Sequence, residues 1–461
     1  MAKPSSAPSR LRQPEWLRQF GRRLKAARAR VGLTQQQLAA PDLSKSFISL
    51  LESARSYPSV ETVIALAKRT HTSLASLLMD PTDLRLETAL NLLHLAWTMD
   101  PARHSADALH LVGTAEILLP DMPAELRVRS MLVRSRVAMA TGHVHDAARM
   151  ADEAVALARR LRLDGALCRA LTLKGVVLGR RGEFQAAIET LDEALRLMRR
   201  TRSANSEEAV WALLSTGAAQ RQTGQVEGAQ ASYQRALELA TSLGLAKMRG
   251  RALTGLGMVA WSRQHLDLAV DVFSQAYRVF EELEDLAEMG RVLNNLGLVR
   301  RAQGLYDEAL LVLNAALRLR EREGDIRGRS STLDELAQVL LALGRADEAA
   351  GAARQAVADA EAVGDQARRA VAQVTLARAL RAQRHQAQAA DLLREAVATL
   401  TRLNMTPEAA SASAELGLLL KETGQREEAA DYLARALTFT ASHAPAPPGD
   451  LAKDLDPPDG T

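Results

Sequence analysis

The sequence predicts an all-α protein, with a small N-terminal domain of five helices followed by a right-handed α-solenoid of about eight repeated helix pairs. Three observations support this prediction. Alanine, leucine and arginine dominate the chain and aromatic residues make up only 3% of it, a composition that favours helices. A turn signal recurs about every 40 residues from Gly142 onward, and alanine returns at fixed distances after each signal.

The stretch Leu33–Glu52 near the N-terminus predicts two short helices separated by a tight break. Thr34 is a suitable N-cap and Gln37 follows three residues later, as in a capping box. Pro41 ends the first of the two helices, because proline cannot continue the backbone hydrogen-bond ladder. Ser44 is then the expected N-cap of the second helix.

The second of these helices has two different faces. Ile48 and Leu51 are three residues apart and share an apolar face, whereas Lys45, Ser46 and Ser49 point the other way. A helix with an apolar back and a small, polar or basic front can enter the major groove of DNA.

The same stretch and its flanks resemble the helix-turn-helix of the phage-repressor-like, or XRE, regulators. The resemblance covers roughly residues 17–79 and rests on Arg28, Gly32, Leu33, Thr34, Gln35, Leu38, Ala39, Ser44, Ile48, Ser49, Glu52, Pro58, Ser59, Leu66 and Ala67. It implies double-stranded DNA as a partner and a structural ion pair between Arg28 and Glu52. The resemblance also implies that seven residues contact DNA. They are Gln35, Ser44, Lys45, Ser46, Ser49, Leu50 and, in the loop after the recognition helix, Arg55. Tyr57 in the same loop is a further candidate for a phosphate contact.

The chain departs from the family pattern at two places. The turn between the two short helices is one residue shorter than usual and lacks its glycine. Ala54 stands where glycine is common after the recognition helix. A turn that needs a left-handed backbone conformation at this position would be less favourable with alanine than with glycine. Retention of the motif only as a protein-binding bundle is the alternative interpretation.

Net charge is concentrated at the N-terminus. Residues 1–80 hold 13 lysines and arginines against five acidic residues, a charge of +8, whereas the whole chain carries +4, so that residues 81–461 carry −4. Neutralisation of phosphates supplies much of the affinity of proteins for DNA, and the basic segment coincides with the suspected DNA-binding motif. A basic segment that only aids solubility is the alternative.

Composition shifts and Asp-Pro breaks divide the chain into five parts. We expect a disordered arm over 1–13, the helix-turn-helix domain over 14–80, a helical connector with a possible half repeat over 81–126, the solenoid over 127–441 and a disordered tail over 442–461.

The repeats have a regular register. The turn markers are Gly142, Gly182, Gly224, Gln264, Gly304, Gly344, Arg384 and Gly424, with steps of 40 residues except for one of 42. Alanine stands five residues and again twelve residues after every marker, which is expected where helices cross so closely that only a methyl group fits. The pattern resembles tetratricopeptide (TPR) repeats with lengthened helices.

The TPR resemblance implies that ligands contact the first helix of each pair at its second, fifth, ninth and twelfth places. The candidate ligand-binding residues at those places are Trp211, Arg221, Arg251, Trp261, Arg291, Asn294, Arg301, Asp334 and Gln338. Together with the helix-turn-helix, this layout resembles the RRNPP group of peptide-sensing receptors. A peptide or protein segment, a small metabolite and a plain scaffold without ligand all stay open.

Nothing in the sequence points to an enzyme, a cofactor or a metal site. No phosphate-binding glycine loop or dinucleotide motif occurs, and the histidines have no metal-ligand spacing. No window of 18 consecutive apolar residues indicates a membrane span, and the N-terminus has no apolar core of a secretory signal. The single Cys168 fits a reducing cytoplasm and is expected to be a packed small residue.

These observations predict a cytoplasmic, homodimeric transcriptional regulator that binds DNA through its N-terminal domain and senses a peptide or protein segment through the solenoid, with quorum sensing as the implied setting. The alternative from another class is an adaptor that does not bind DNA and uses the solenoid as a scaffold.

Overall fold

The structure is a computed structural model that describes residues 15–79, 81–101 and 103–441; the predicted arm and tail lie outside these ranges. Within them the chain forms 23 α-helices and no strand, as the sequence predicts. The described residues divide into two compact units, one that ends at Val133 and one that begins at Arg134.

The first unit begins with the five predicted helices. They are α1 (Glu15–Arg30), α2 (Gln35–Ala39), α3 (Lys45–Glu52), α4 (Val60–Arg69) and α5 (Leu74–Leu78), followed by α6 (Pro81–Thr98), α7 (Ser105–Leu118) and the first part of α8 (Ala124–Ala140). Phe20, Leu24, Leu38 and Ile48 are fully buried in one core that gathers α1 to α5.

Serine and threonine start four of these helices. The Thr34 hydroxyl accepts a hydrogen bond from the backbone N of Gln37, and the side-chain Oε1 of Gln37 accepts one from the Thr34 backbone N at 2.8 Å, so the predicted capping box is present. Ser44 caps α3 by accepting from Phe47 N at 3.0 Å. Ser59 and Ser73 do the same for α4 and α5.

The repeated region consists of eight consecutive helix pairs, of which α8 opens the first. The remaining helices are α9 (Val144–Arg160), α10 (Asp164–Arg180), α11 (Phe184–Arg200), α12 (Glu207–Gln222), α13 (Val226–Ser242), α14 (Ala246–Ser262), α15 (Leu266–Glu282), α16 (Leu286–Ala302), α17 (Tyr306–Glu323), α18 (Ile326–Ala342), α19 (Ala346–Ala362), α20 (Gln366–Ala382), α21 (Gln386–Arg402), α22 (Thr406–Glu422) and α23 (Arg426–Ala441). Each packs on the next, as in a solenoid. We call the even-numbered helices α8 to α22 the first helices and the odd-numbered ones the second helices.

The turn inside every pair contains one residue in the left-handed region. All eight markers have a positive φ, including the two that are not glycine, Gln264 at 62° and Arg384 at 67°. A second series of residues with positive φ lies in the turns between one helix pair and the next, and it includes Arg162, Glu284 and Asn404. The sequence did not reveal this second series, because more than half of its members carry side chains.

Alanine forms the seam between the helices of the repeats. The sixteen alanines at the two register positions are all buried, from Ala147 at 0% exposed to Ala436 at 8%. Glycines of the first helices extend the seam: a Cβ at Gly257 would lie 2.6 Å from the Phe273 ring, and one at Gly297 would lie 2.5 Å from Leu313. These contacts leave no room for a side chain at the two glycines.

None of the described helices is both long and apolar enough to cross a bilayer.

Candidate functional site

The front of α3 is open, as the DNA-binding hypothesis requires. Lys45, Ser46 and Ser49 are exposed, and Leu50 is 41% exposed. Ile48 and Leu51 are fully buried behind them. Ser44, at the N-terminus of the helix, is exposed as well, and its hydroxyl already caps the backbone. The helix therefore presents a polar front with one cation and a fixed apolar back.

A three-residue polar cluster holds the far end of α3. Arg28 Nε lies 2.6 Å from Glu52 Oε1 and Arg28 Nη2 lies 3.1 Å from Glu52 Oε2, which forms the ion pair between α1 and α3. Gln35 Nε2 donates to the same Glu52 Oε2 at 2.8 Å. Burial opposes ionisation of Glu52, but the hydrogen bonds from Arg28 and Gln35 outweigh it and lower the pKa of this carboxyl. Gln35 is thus anchored to α3, and a phosphate would have to meet an amide that is already oriented.

Close approach of α1 and α3 depends on a glycine that the sequence analysis did not single out. A Cβ at Gly21 would lie 2.6 Å from the carbonyl oxygen of Leu51 and 2.7 Å from that of Glu52. Since both neighbours are backbone atoms, a side chain here would push α3 away from α1.

The loop after α3 turns through Ala54, which has a φ of 61°. The position that is often glycine in the family is therefore left-handed here too, and the chain adopts it with alanine, which is less favourable. The next residue, Arg55, is exposed, and its backbone N bonds to Leu50 O at 2.8 Å. The Tyr57 ring lies 6.1 Å from that of Trp16, and both residues are exposed.

The nine candidate ligand residues of the repeats are more enclosed than a solvated wall would be. Trp211, Arg221, Arg291, Asn294 and Asp334 are each less than 9% exposed. Arg251, Trp261, Arg301 and Gln338 are half-buried. The first five are therefore buried side chains and not part of a solvated surface.

Buried charges join α14 to α16. Glu288 Oε1 accepts from Arg251 Nε at 2.7 Å, and Glu288 Oε2 accepts from Arg291 Nε at 2.7 Å. Burial alone would raise the pKa of Glu288, but the two guanidinium groups outweigh burial and hold it well below the usual range. Two of the candidate residues are thus brought together by a carboxylate that the sequence analysis did not identify.

A second group of charges joins α16, α18, α20 and α22, and we call it the carboxylate cluster: Arg301, Asp334, Glu335, Arg378 and Glu415. Arg301 Nη2 lies 3.2 Å from Glu335 Oε2, and Arg378 Nε donates to Glu415 Oε1 at 2.7 Å. Gln338 Nε2 donates to Asp334 Oδ2 at 3.0 Å.

Burial governs the ionisation of this cluster. It raises the pKa of Glu335 to about 7 despite Arg301, and the neighbouring Asp334 charge adds to the rise. Burial also raises the pKa of Asp334, although Thr375, Gln338, Arg378 and Arg368 act in the opposite direction.

Several buried oxygen atoms on these helices have no hydrogen-bond partner. They include Asn294 Oδ1, Asn295 Oδ1, Asp334 Oδ1, Glu335 Oε2, Gln373 Oε1 and the hydroxyls of Ser215 and Ser413. Buried polar groups are nearly always paired, so that orphaned acceptors point to a missing donor such as a ligand or an ordered water.

Part of this site was readable from the repeat period. Arg378 stands one 40-residue step after Gln338, so extending the register by one repeat would have found it. Glu335 and Glu415 lie one place beyond the register positions, and Glu288 lies three places before Arg291. Their role depends on contacts between neighbouring repeats, which the period alone does not specify.

A separate cavity of about 440 Å³ lies where the repeat step is 42 residues. Its lining combines an apolar floor with a polar rim and consists of Leu195, Met198, Arg199, Ala204, Asn205, Ala209, Leu213, Arg235, Glu238, Leu239 and Ser242. It contains none of the predicted ligand residues.

Within the described ranges, no three His, Cys, Asp or Glu side chains converge in an arrangement suited to a metal ion. Cys168 is buried, and burial raises the pKa of its thiol to about 11, so that it packs as a neutral side chain.

Comparison with known proteins agrees with this architecture. The MalT-like TPR region matches residues 130–443, and a helix-turn-helix domain model matches residues 19–77. A comparison with curated proteins gave no match.

Solved structures with the same fold include Rap proteins, which belong to the RRNPP group. A Rap protein complexed with Competence and Sporulation Factor aligns with a TM-score of 0.59 and 16% identity over 82% of this chain and 100% of that one. The apo form of RapI aligns with a TM-score of 0.53 and 14% identity, over 79% of this chain and 98% of that one. Aspartyl phosphate phosphatase F from Bacillus subtilis aligns with a TM-score of 0.52 and 15% identity, over 77% of this chain and 94% of that one.

These alignments establish the shared fold, and the match of the repeat family covers more than half of the sequence. The chain therefore belongs to the MalT-like TPR region family and carries a helix-turn-helix domain ahead of its repeats.

Proposed function

We propose that the protein is a sequence-specific DNA-binding transcriptional regulator whose TPR unit binds a peptide or protein segment and mediates dimerisation. The observation that carries the proposal is the open front of α3, on which Lys45 and Ser46 are exposed while Arg28, Gln35 and Glu52 fix the helix from behind. A buried protein-packing helix would not leave its polar face open in this way.

In this proposal the N-terminal end of α3 enters the major groove. Lys45, Ser46 and Ser49 would meet base edges, with Ser44 and Leu50 beside them, and Arg55 would meet the phosphate backbone. The excess positive charge of residues 1–80 supports the approach to DNA. A homodimer would read two half-sites about one helical turn apart or a multiple of it.

The ligand surface is proposed to be the register positions of the first helices α12 to α18. The orphaned oxygens of Asn294 and Asp334 support a partner with N–H donors, which an extended peptide backbone supplies. The Rap protein of similar fold was solved with Competence and Sporulation Factor bound, which agrees with a peptide-type ligand. Binding across several repeats would change their packing and thereby the affinity for DNA, in the cytoplasm where such a regulator would act.

Selection of binding sites from random duplex DNA tests the DNA-binding part. We expect enrichment of an inverted repeat and a steep loss of affinity between low and moderate salt, with the sequence preference retained. Sedimentation of the full chain in the presence and absence of the selected duplex tests the dimer. Binding without any sequence preference would contradict the regulator.

The second candidate function is an adaptor that does not bind DNA, and one observation favours it. Trp16, Tyr57 and Val60 expose apolar surface, with 43%, 61% and 69% of each residue accessible. An exposed apolar patch is common at protein-docking sites. An enzyme is not proposed, since neither family model implies a reaction.

A further inference from the structure

The cavity formed by α11, α12 and α13 lies beside a lengthened turn. Six residues separate α11 from α12, whereas three separate α9 from α10 and three separate α13 from α14. Ala204 and Asn205 belong to the lengthened turn, and both line the cavity. Ser206 Oγ donates to Ser203 O at 2.8 Å and accepts from Ala209 N at 3.3 Å. This wall of the cavity is therefore held by hydrogen bonds of its own.

The floor of the cavity is apolar. Leu195, Met198 and Leu213 are buried there, and Leu239 is half-buried. The second helices α11 and α13 supply most of the lining, whereas the surface proposed for the peptide consists of register positions of the first helices. The volume of about 440 Å³ lies in the range of small-molecule sites, which is about 300–1,000 Å³. The cavity can therefore hold an apolar body of that size.

The rim of the cavity carries two guanidinium groups on different helices. Arg199 on α11 and Arg235 on α13 are exposed, and neither forms an ion pair with a carboxylate of the described residues. One acidic residue, Glu238, shares the rim, and its Oε1 accepts from Gln234 Nε2 at 3.1 Å. The charged groups of the rim therefore sum to one positive charge.

The electrostatics of helix ends explain only part of this charge. Arg199 and Arg200 both stand in the last turn of α11, where a cation offsets the helix dipole. Only Arg199 of the two lines the cavity, and Arg235 stands in the middle of α13, away from either end. Guanidinium groups hold carboxylates through paired, charge-assisted hydrogen bonds. Two of them beside one apolar cavity favour a ligand with an anionic end.

We propose that this cavity binds a small amphipathic carboxylate, with its apolar body against Leu195, Met198 and Leu213 and its carboxylate at the rim beside Arg199 and Arg235. The apolar body gains free energy by leaving water, and the charged end keeps contact with solvent at the rim, so that its desolvation costs little. The inference goes beyond the proposed function, because it adds a second ligand of another class at a separate place in the repeats.

Equilibrium dialysis of the full chain tests the site with three carboxylates and their primary amides. The acids are octanoate, 4-phenylbutyrate and 2-naphthoate, and each amide keeps the apolar body of its acid without the charge. We expect at least one acid to be retained about tenfold more strongly than its amide. Equal retention of acids and amides would overturn the anionic end of the ligand, and retention of no probe by the folded wild type would overturn the site.

Variants of the lining locate the binding. Arg199→Gln and Arg235→Gln should each reduce the preference for the acid, and Ala204→Trp should abolish retention by filling the cavity from the turn. The matched control is Arg200→Gln, since Arg200 is an exposed neighbour of Arg199 that does not line the cavity, and it should behave as the wild type. Circular dichroism checks that each variant is folded. Unchanged retention of the acid by folded Ala204→Trp, or an unchanged preference in both lining arginine variants, would overturn the proposal.

Discussion

Arg28 Nε lies 2.6 Å from Glu52 Oε1 and thereby ties the last turn of α1 to the last residue of α3. The side chains are 15% and 5% exposed, so the pair is shielded from solvent. Gln35 adds a third bond from the start of α2. One carboxylate thus fixes three helices around the surface proposed to read DNA.

Replacement of Glu52 by glutamine should loosen this arrangement. We expect a loss of about 2 kcal/mol of protection for α1 and α3, since two charge-assisted hydrogen bonds from Arg28 are lost or weakened. Hydrogen exchange of the peptides from these helices in the full chain measures the loss.

The same pair predicts a pH dependence with a definite sign. The pKa of Glu52 is lowered in the folded state, so its stabilising contribution is complete above the unfolded value of about 4.3 and disappears as pH falls through the folded value. The difference between wild type and Glu52→Gln should therefore vanish in acid. A constant difference from pH 7 down to about pH 3 would show that the pair does not act through ionisation.

The turns inside the repeats predict opposite effects for two exchanges of glycine. Arg384 and Gly344 occupy the same place in neighbouring repeats, with φ values of 67° and 74°. Arg384→Gly should stabilise the repeats by about 1 kcal/mol, and Gly344→Ala should destabilise them by a similar amount, because a side chain is unfavourable in the left-handed region. Midpoints of urea unfolding followed by circular dichroism measure both. A shift in the same direction for both variants would contradict the account of the turns.

The helix seam predicts that one substitution has opposite consequences at two sites. A Cβ at Gly257 would lie 2.6 Å from the buried Phe273 ring, whereas nothing lies within 4 Å of one at Gly351, which is exposed on α19. Gly257→Ala should cost about 1–3 kcal/mol through overpacking. Gly351→Ala should stabilise by about 0.5–1 kcal/mol through helix propensity. Thermal unfolding of both variants provides the measurement, and a neutral Gly257→Ala would mean that the seam is loosely packed.

The buried triad of α14 and α16 predicts a large cost for its central carboxylate. Glu288→Gln would leave Arg251 and Arg291 without an anion between them, and we expect a loss of about 3 kcal/mol. Conservative replacement by aspartate should recover part of it. Urea unfolding of the two variants separates the charge from the shape of the side chain, and equal losses would exclude the charge as the cause.

Much of the fold was predictable because it depends on local rules. Thr34 and Ser44 cap helices through their own chemistry, and the alanine register of the repeats follows from close helix crossing. Gln264 and Arg384 are assigned to turns by the period alone, although neither residue type marks a turn.

The candidate site was less predictable because it depends on contacts between repeats. Trp211 and Asn294 are buried, which the repeat period alone does not predict. The pairing of Arg251 with Glu288 joins residues 37 positions apart, and Gly21 meets the carbonyl groups of Leu51 and Glu52, which are 30 and 31 positions further along the chain.

Fluorescence anisotropy with the duplex selected by the wild-type protein tests the central claim most directly. The double variant Lys45→Ala, Ser46→Ala should bind this duplex about tenfold to a hundredfold more weakly and lose discrimination against a scrambled duplex. The control variant Lys68→Ala, which removes an exposed lysine in the last turn of α4, should keep the discrimination. Wild-type affinity and discrimination in the double variant would contradict the assignment of α3 as the element that reads DNA.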